Sequence, residues 1–181
     1  IRYYYHSECY CKYVFCMDDD LENVRTLGGD LHPSLDEIIK RGFETAEKEN
    51  ASMWGITPSK NTFFLREGYS TNLNYIMGAF HGFITGEYPI YTEYEHFEDV
   101  WFSLAHYTQD GIVRFNDISV DTRYFGEGGI QSQFGGKENR MQYARDVAQD
   151  FVDIWGSDMI SIKNNKWGVA LRLNSRYKKK L

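Results

Sequence analysis

The sequence predicts an α+β fold: a single domain over residues 1–181, with a largely antiparallel sheet and about four helices. Two observations predict it. Apolar side chains recur at helical spacing in four segments and gather with β-prone residues in the stretches between. The resulting order, β, α, β, α, α, β, β, α, β, β, lacks the regular alternation that builds a parallel sheet. Composition agrees. A chain of 181 residues with 42% hydrophobic and 17% aromatic side chains has material for a sizeable core and is not a disordered segment.

Residues 1–17 read as a strand pair or one long bent strand that ends in the turn-like run Asp18-Asp19-Asp20. Ser34 with Glu37 forms a capping box, and Leu35, Ile38, Ile39, Phe43 and Ala46 follow as a stripe, so a helix is expected over 35–49. Gly42 inside it costs about 1 kcal/mol relative to Ala. Residues 61–68 read as a short strand. Leu73, Ile76, Met77, Phe80, Phe83 and Ile84 lie at spacings of 3, 4, 7, 10 and 11 and predict a second helix. Gly78 and Gly82, one turn apart, predict close packing on a neighbouring element.

Thr92 and Glu95 form another capping box. Tyr94, Phe97, Trp101 and Leu104 then predict a helix over 93–106. Residues 112–125 alternate roughly and read as two strands with a turn at Asn116-Asp117. Met141, Ala144, Ala148, Phe151 and Trp155 predict a fourth helix, which Gly156 stops. Asn164-Asn165 between two β-prone runs predicts a tight hairpin. The one soft boundary is the glycine-rich loop at 126–136, where the charge balance also changes. Residues 1–136 carry 10 basic and 21 acidic side chains; residues 137–181 carry 10 and 5.

No apolar run approaches the roughly 20 residues of a membrane span, so no membrane partner is expected. The first residues are too polar for a signal-peptide core, and three cysteines are an odd number for a disulfide framework. Both point to the cytoplasm.

Candidate sites fall into four groups. The densest is Tyr91 to Phe102, where Glu93, Glu95, Glu98 and Asp99 interleave with aromatics. Glu95, Asp99 and His106 share one face of the expected helix, the residue types for a divalent cation or for acid/base work. As a plain helix face, the same acids would complement the helix dipole. The second group is His6, Cys9, Cys11 and Cys16. Imidazole and thiolates are zinc ligands, but these spacings match no ribbon or finger, and buried thiols are the simpler reading. Thiolate formation at Cys16 would also be opposed by Asp18, Asp19 and Asp20.

The third group is Lys137 and Arg140, at the start of the fourth helix, where free amides can hold an anion. The loop before them fails as a P-loop, because Gln131 stands where glycine is required and Glu138 follows Lys137. The fourth is the basic end, where Lys163, Lys166, Trp167, Arg172 and Arg176 could grip phosphates and stack a base.

With no complete catalytic motif, the expected function is that of a small acidic, aromatic-rich binding or inhibitory protein. It would cover a basic surface of a partner protein, such as a nucleic-acid-binding groove, through Glu93, Glu95, Glu98, Asp99 and Asp18–Asp20. The alternatives are a metal-dependent hydrolase acting on nucleotides or nucleic acid, and a nucleic-acid-binding protein using the basic hairpin. No cofactor is favoured; a divalent metal is possible chemistry for the carboxylates.

Overall fold

The computed structural model describes residues 11–86, 90–123, 137–165 and 168–179, with Lys137 and Asn165 as backbone only. In chain order the elements are β1 (Tyr13–Met17), β2 (Leu21–Thr26), α1 (Leu35–Lys48), β3 (Met53–Thr57), a 3-10 turn (Thr62–Phe64) and β4 (Tyr69–Ser70). Then follow β5 (Phe80–Ile84), α2 (Glu98–Gln109), β6 (Ile112–Thr122), α3 (Lys137–Trp155), β7 (Ile160–Asn165) and β8 (Gly168–Leu173). The class is α+β, as expected, but the described residues form three helices rather than four.

The main sheet runs β1-β5-β3-β6-β2, with β4 also beside β6. It is mixed, not wholly antiparallel: β3 and β6 are parallel, and the other pairs are antiparallel. Its two edge strands are consecutive in the chain and joined only by Asp18–Asp20. Four strand gaps in a flat sheet span about 19 Å, whereas the four Cα steps from Met17 to Leu21 reach at most about 14 Å. The sheet therefore curls until its edges approach. The acidic turn pins the closure. Asp18 N–H donates to Ala79 O at 3.0 Å, and Arg123 N–H donates to Asp20 O at 2.8 Å.

One face of the sheet carries α1. Its start is as expected: Glu37 N–H donates to Ser34 Oγ at 3.2 Å. Ile38 and Ala46 from the helix meet Trp54, Ile56, Phe80, Val113, Phe115, Ile118 and Val120 from the sheet. Trp54 is fully buried at the centre, with rings of Phe15, Phe43, Phe80 and Phe115 at 5.5–6.3 Å. Two glycines fit around it. A Cβ on Gly42 of α1 would lie 2.3 Å from the indole, and one on Gly82 of β5 would lie 2.3 Å from its Nε1.

The other face packs on α2, α3 and the β7–β8 hairpin. Met53, Leu73, Ile76, Leu104, Ile112, Val147, Phe151 and Ile160 form this second core. Both cores share the sheet, so the described elements make one unit. The soft boundary at 126–136 lies outside the described residues.

Several local expectations are corrected. Residues 73–84 are not a helix; they run irregularly into β5. Phe80 points to the Trp54 core while Phe83 lies in the row with Met53, so the strand is buried on both faces. A doubly buried strand has apolar residues in succession, which mimics a helical stripe. Residues 61–68 hold the 3-10 turn instead of a strand. Residues 112–122 are one strand with a register shift opposite Ile56/Thr57, not two strands around Asn116-Asp117. In the hairpin, Asn164 pairs with Val169 and Asn165 with Gly168, so the connection is residues 166–167. The strand reading of 1–17 holds for Tyr13–Met17, and residues 1–10 lie outside the described part.

Gly42 sets two effects against each other. Helix propensity favours G42A by about 1 kcal/mol, while overpacking on Trp54 costs about 1–3 kcal/mol. Urea unfolding should show G42A destabilised in the wild-type background. In a W54L background the sign should reverse. Stabilisation of the wild type by G42A would contradict the packing described here.

Candidate functional site

The expected capping box at Thr92 and Glu95 does not start α2. Thr92 Oγ1 instead accepts from Tyr94 N–H at 3.1 Å, a local turn, and the chain stays irregular until Phe97. Phe97 takes φ +60, and α2 begins at Glu98. The delay leaves residues 90–97 as a strap beside the helix, with a cleft on each side.

The first cleft, of about 700 Å³, lies between this strap, α2 and α3. Tyr91, Tyr94, Trp101 and Tyr143 supply aromatic surface; Glu93, Asp146 and Asp150 supply carboxylates. Tyr143, Asp146 and Asp150 stand at i, i+3 and i+7 on α3 and so share its exposed face. The aromatic wall is fixed from behind. Tyr94 and Trp101 are 5.4 Å apart, and each packs on Phe151, at 5.0 and 5.4 Å. Trp101 Nε1–H donates to Tyr91 O at 3.0 Å. Burial raises the Tyr94 hydroxyl pKa, and the Asp150 carboxylate adds to it. No Lys or Arg lines this cleft, and among the described residues none of its three carboxylates forms an ion pair.

The second cleft, of about 730 Å³, lies between residues 73–75, the start of α2 and β8. Its polar groups include Asn74, Tyr75, His96, Asp99, Arg114, Arg172 and Ser175. Arg114 reaches it through the strand register. Cys16, His81, Gly55 and Arg114 form one cross-strand row, and Ile76 sits directly over the missing side chain of Gly55. The Tyr75 hydroxyl donates to Asp99 Oδ2 in a tight contact. Burial, with the Asp99 charge next, holds the Tyr75 pKa well above the ordinary tyrosine value. Asp99 Oδ1 accepts from Val100 N–H at 2.9 Å, so both its oxygens are engaged. Burial pushes the His96 pKa down; the Arg140 charge pushes the same way, and Asp99 opposes them.

The acids expected to form one patch are divided. Glu93 lines the first cleft and Asp99 the second, while Glu95 and Glu98 are exposed between them. Asp18 and Asp19 are exposed and Asp20 half-buried in the β1–β2 turn, and burial raises the Asp18 pKa with help from Asp20 and Asp19. His106 is 1% exposed, with Nδ1 2.8 Å from Ser52 Oγ, inside the core. Glu95 precedes α2, so the helical face expected to join it to Asp99 and His106 does not form. Among the described residues no three of His, Cys, Asp and Glu are placed to hold a metal ion.

His6 and Cys9 lie outside the described residues; Cys11 is exposed, and Cys16 pairs across β1–β5 with His81. The side chain of Lys137, and Lys166 and Trp167 entirely, also fall outside. Arg140 is half-buried near His96. Lys163, Arg172 and Arg176 are exposed, with Arg172 on the second cleft. No described helix is long and apolar enough to cross a membrane.

The sequence reading missed Tyr75, Arg114, Asp146 and Asp150. For the α3 pair the signal was there, as polar residues at i, i+3 and i+7 around Tyr143. Arg114 carried none, being a lone charge in a strand.

Because burial lowers the His96 pKa, its contribution to stability is present above its ordinary pKa of 6.5 and is lost as pH falls from there through the lower folded value. H96N removes that titration. Urea unfolding at pH 7.5 and 5.5 should show H96N gaining on wild type at the lower pH. A difference between the two proteins that does not change with pH would contradict the lowered pKa.

Compared with protein-family models, curated proteins and solved structures, the chain gives no significant match, so its own geometry carries the functional reading.

Proposed function

We propose that this chain is a binding protein that takes a cationic segment of a partner protein into the cleft between α2 and α3. The observation that carries this reading is the lining. Four aromatic rings and three carboxylates meet there with no basic side chain among them. Ring faces and carboxylates attract the same ligand, an Arg or Lys side chain. A cation over a ring contributes about 0.5–1 kcal/mol at exposed sites, and the carboxylates add charge-assisted hydrogen bonds.

The rest of the chain favours the same partner. Its net charge of −6 steers a basic surface inward. A partner with a nucleic-acid-binding groove offers such a surface, and this chain would then act by covering it. Glu93 is the member of the sequence-derived patch that this reading keeps at the centre; Glu95 and Glu98 become its exposed rim.

The test is titration calorimetry of the full chain with a tetra-arginine peptide at 50 and 300 mM salt. Affinity should fall as salt rises. D146N/D150N should weaken binding roughly 2- to 30-fold, from about 0.2–1 kcal/mol per exposed pair. Both positions are exposed, so the double variant should keep its fold. Binding that ignores salt, or is unchanged in D146N/D150N, would overturn the proposal.

A further inference from the structure

We propose that the second cleft, between residues 73–75, the start of α2 and β8, binds the phosphate group of a small phosphomonoester between Arg114 and Arg172. The first reason is an uncompensated charge. Arg114 is half-buried, and its Nε–H is buried without an acceptor among the described residues. Its one side-chain hydrogen bond among the described residues is weak and neutral, Nη2 donating to Asn116 Oδ1 at 3.3 Å. Every ion pair among the described residues leaves it out. An arginine does not lose its proton to escape burial, so a desolvated guanidinium without a carboxylate favours an anion supplied from outside.

The second reason is convergence. Arg172 of β8 lines the same cleft as Arg114. The carboxylate on the wall, Asp99, is occupied by the Tyr75 hydroxyl and by Val100 N–H. It therefore does not neutralise either arginine through a contact. One bidentate arginine satisfies a carboxylate ligand; two arginines on one space suit a group with more charge and three acceptor oxygens.

The third reason is shape. The cleft of about 730 Å³ falls in the range of small-molecule sites, and Leu73, Phe97, Val100 and Leu171 give it apolar wall. Such walls suit the organic part of a phosphomonoester. This inference uses none of the carboxylates of the α2–α3 cleft, so it stands or falls separately from the proposed protein partner.

The experiment is titration of the full chain with AMP, with inorganic phosphate and with succinate, followed by calorimetry and by the ring signals of His96. AMP should bind saturably, inorganic phosphate more weakly, and succinate weakest. Bound phosphate should raise the His96 pKa, because its negative charge counters the nearby arginines. R172Q, at an exposed position, should weaken AMP binding about tenfold, and R114K should weaken it while keeping the charge that the fold already accommodates. Absence of saturable AMP binding at millimolar concentration would overturn the proposal. So would binding that R172Q and R114K both leave unchanged, or succinate binding as tightly as AMP.

Discussion

The fold is arranged around Trp54. Its indole occupies a slot whose walls are two absent side chains, Gly42 on α1 and Gly82 on β5. That contact sets how closely the helix approaches the sheet and which strand lies beside β3. Close packing of this kind tolerates neither a gap nor an extra methyl group. The indole Nε1–H is buried with no acceptor among the described residues, a cost of about 1–3 kcal/mol. Burial of the ring against Phe15, Phe43, Phe80 and Phe115 offsets it.

Once α1 occupies one face, the opposite face must take α2, α3 and the hairpin, and the curl of the sheet limits the room. The strap at 90–97 is the consequence that bears on function. Because α2 starts only after the left-handed Phe97, the strap is irregular and stands beside the helix instead of extending it. One side of it, with α3, forms the acid-lined aromatic cleft. The other, with β8 and Arg114, forms the arginine-lined one. An acid-rich lining and an arginine-bearing one are thus separated by a single segment. Glu93 and Asp99, six residues apart, serve different spaces.

Much of the architecture was legible in the chain. Ser34 marked the start of α1, Gly156 the end of α3, and two β-prone runs the hairpin, although Asn164 and Asn165, read as its turn, are paired within it. These are local signals, in which a cap or a stop acts on amides a few residues away. The failures were local too. Leu73 to Ile84 carried a helical stripe because Phe80 and Phe83 serve opposite faces of a buried strand. Thr92 and Glu95 looked like a cap, but Thr92 spends its oxygen on a tighter turn.

The sequence by itself determined the class, the ends of α1 and α3, the acidity of the 91–102 stretch and the basic character of the last residues. Tertiary structure alone decided that the acids divide between two clefts, that His106 belongs to the core and that Arg114 and Arg172 line one cleft. Spacing along one segment fixes which side chains share a side. What stands opposite them follows from strand register and packing between residues far apart in the chain, here from Gly55 leaving room for Ile76 and from two glycines admitting Trp54.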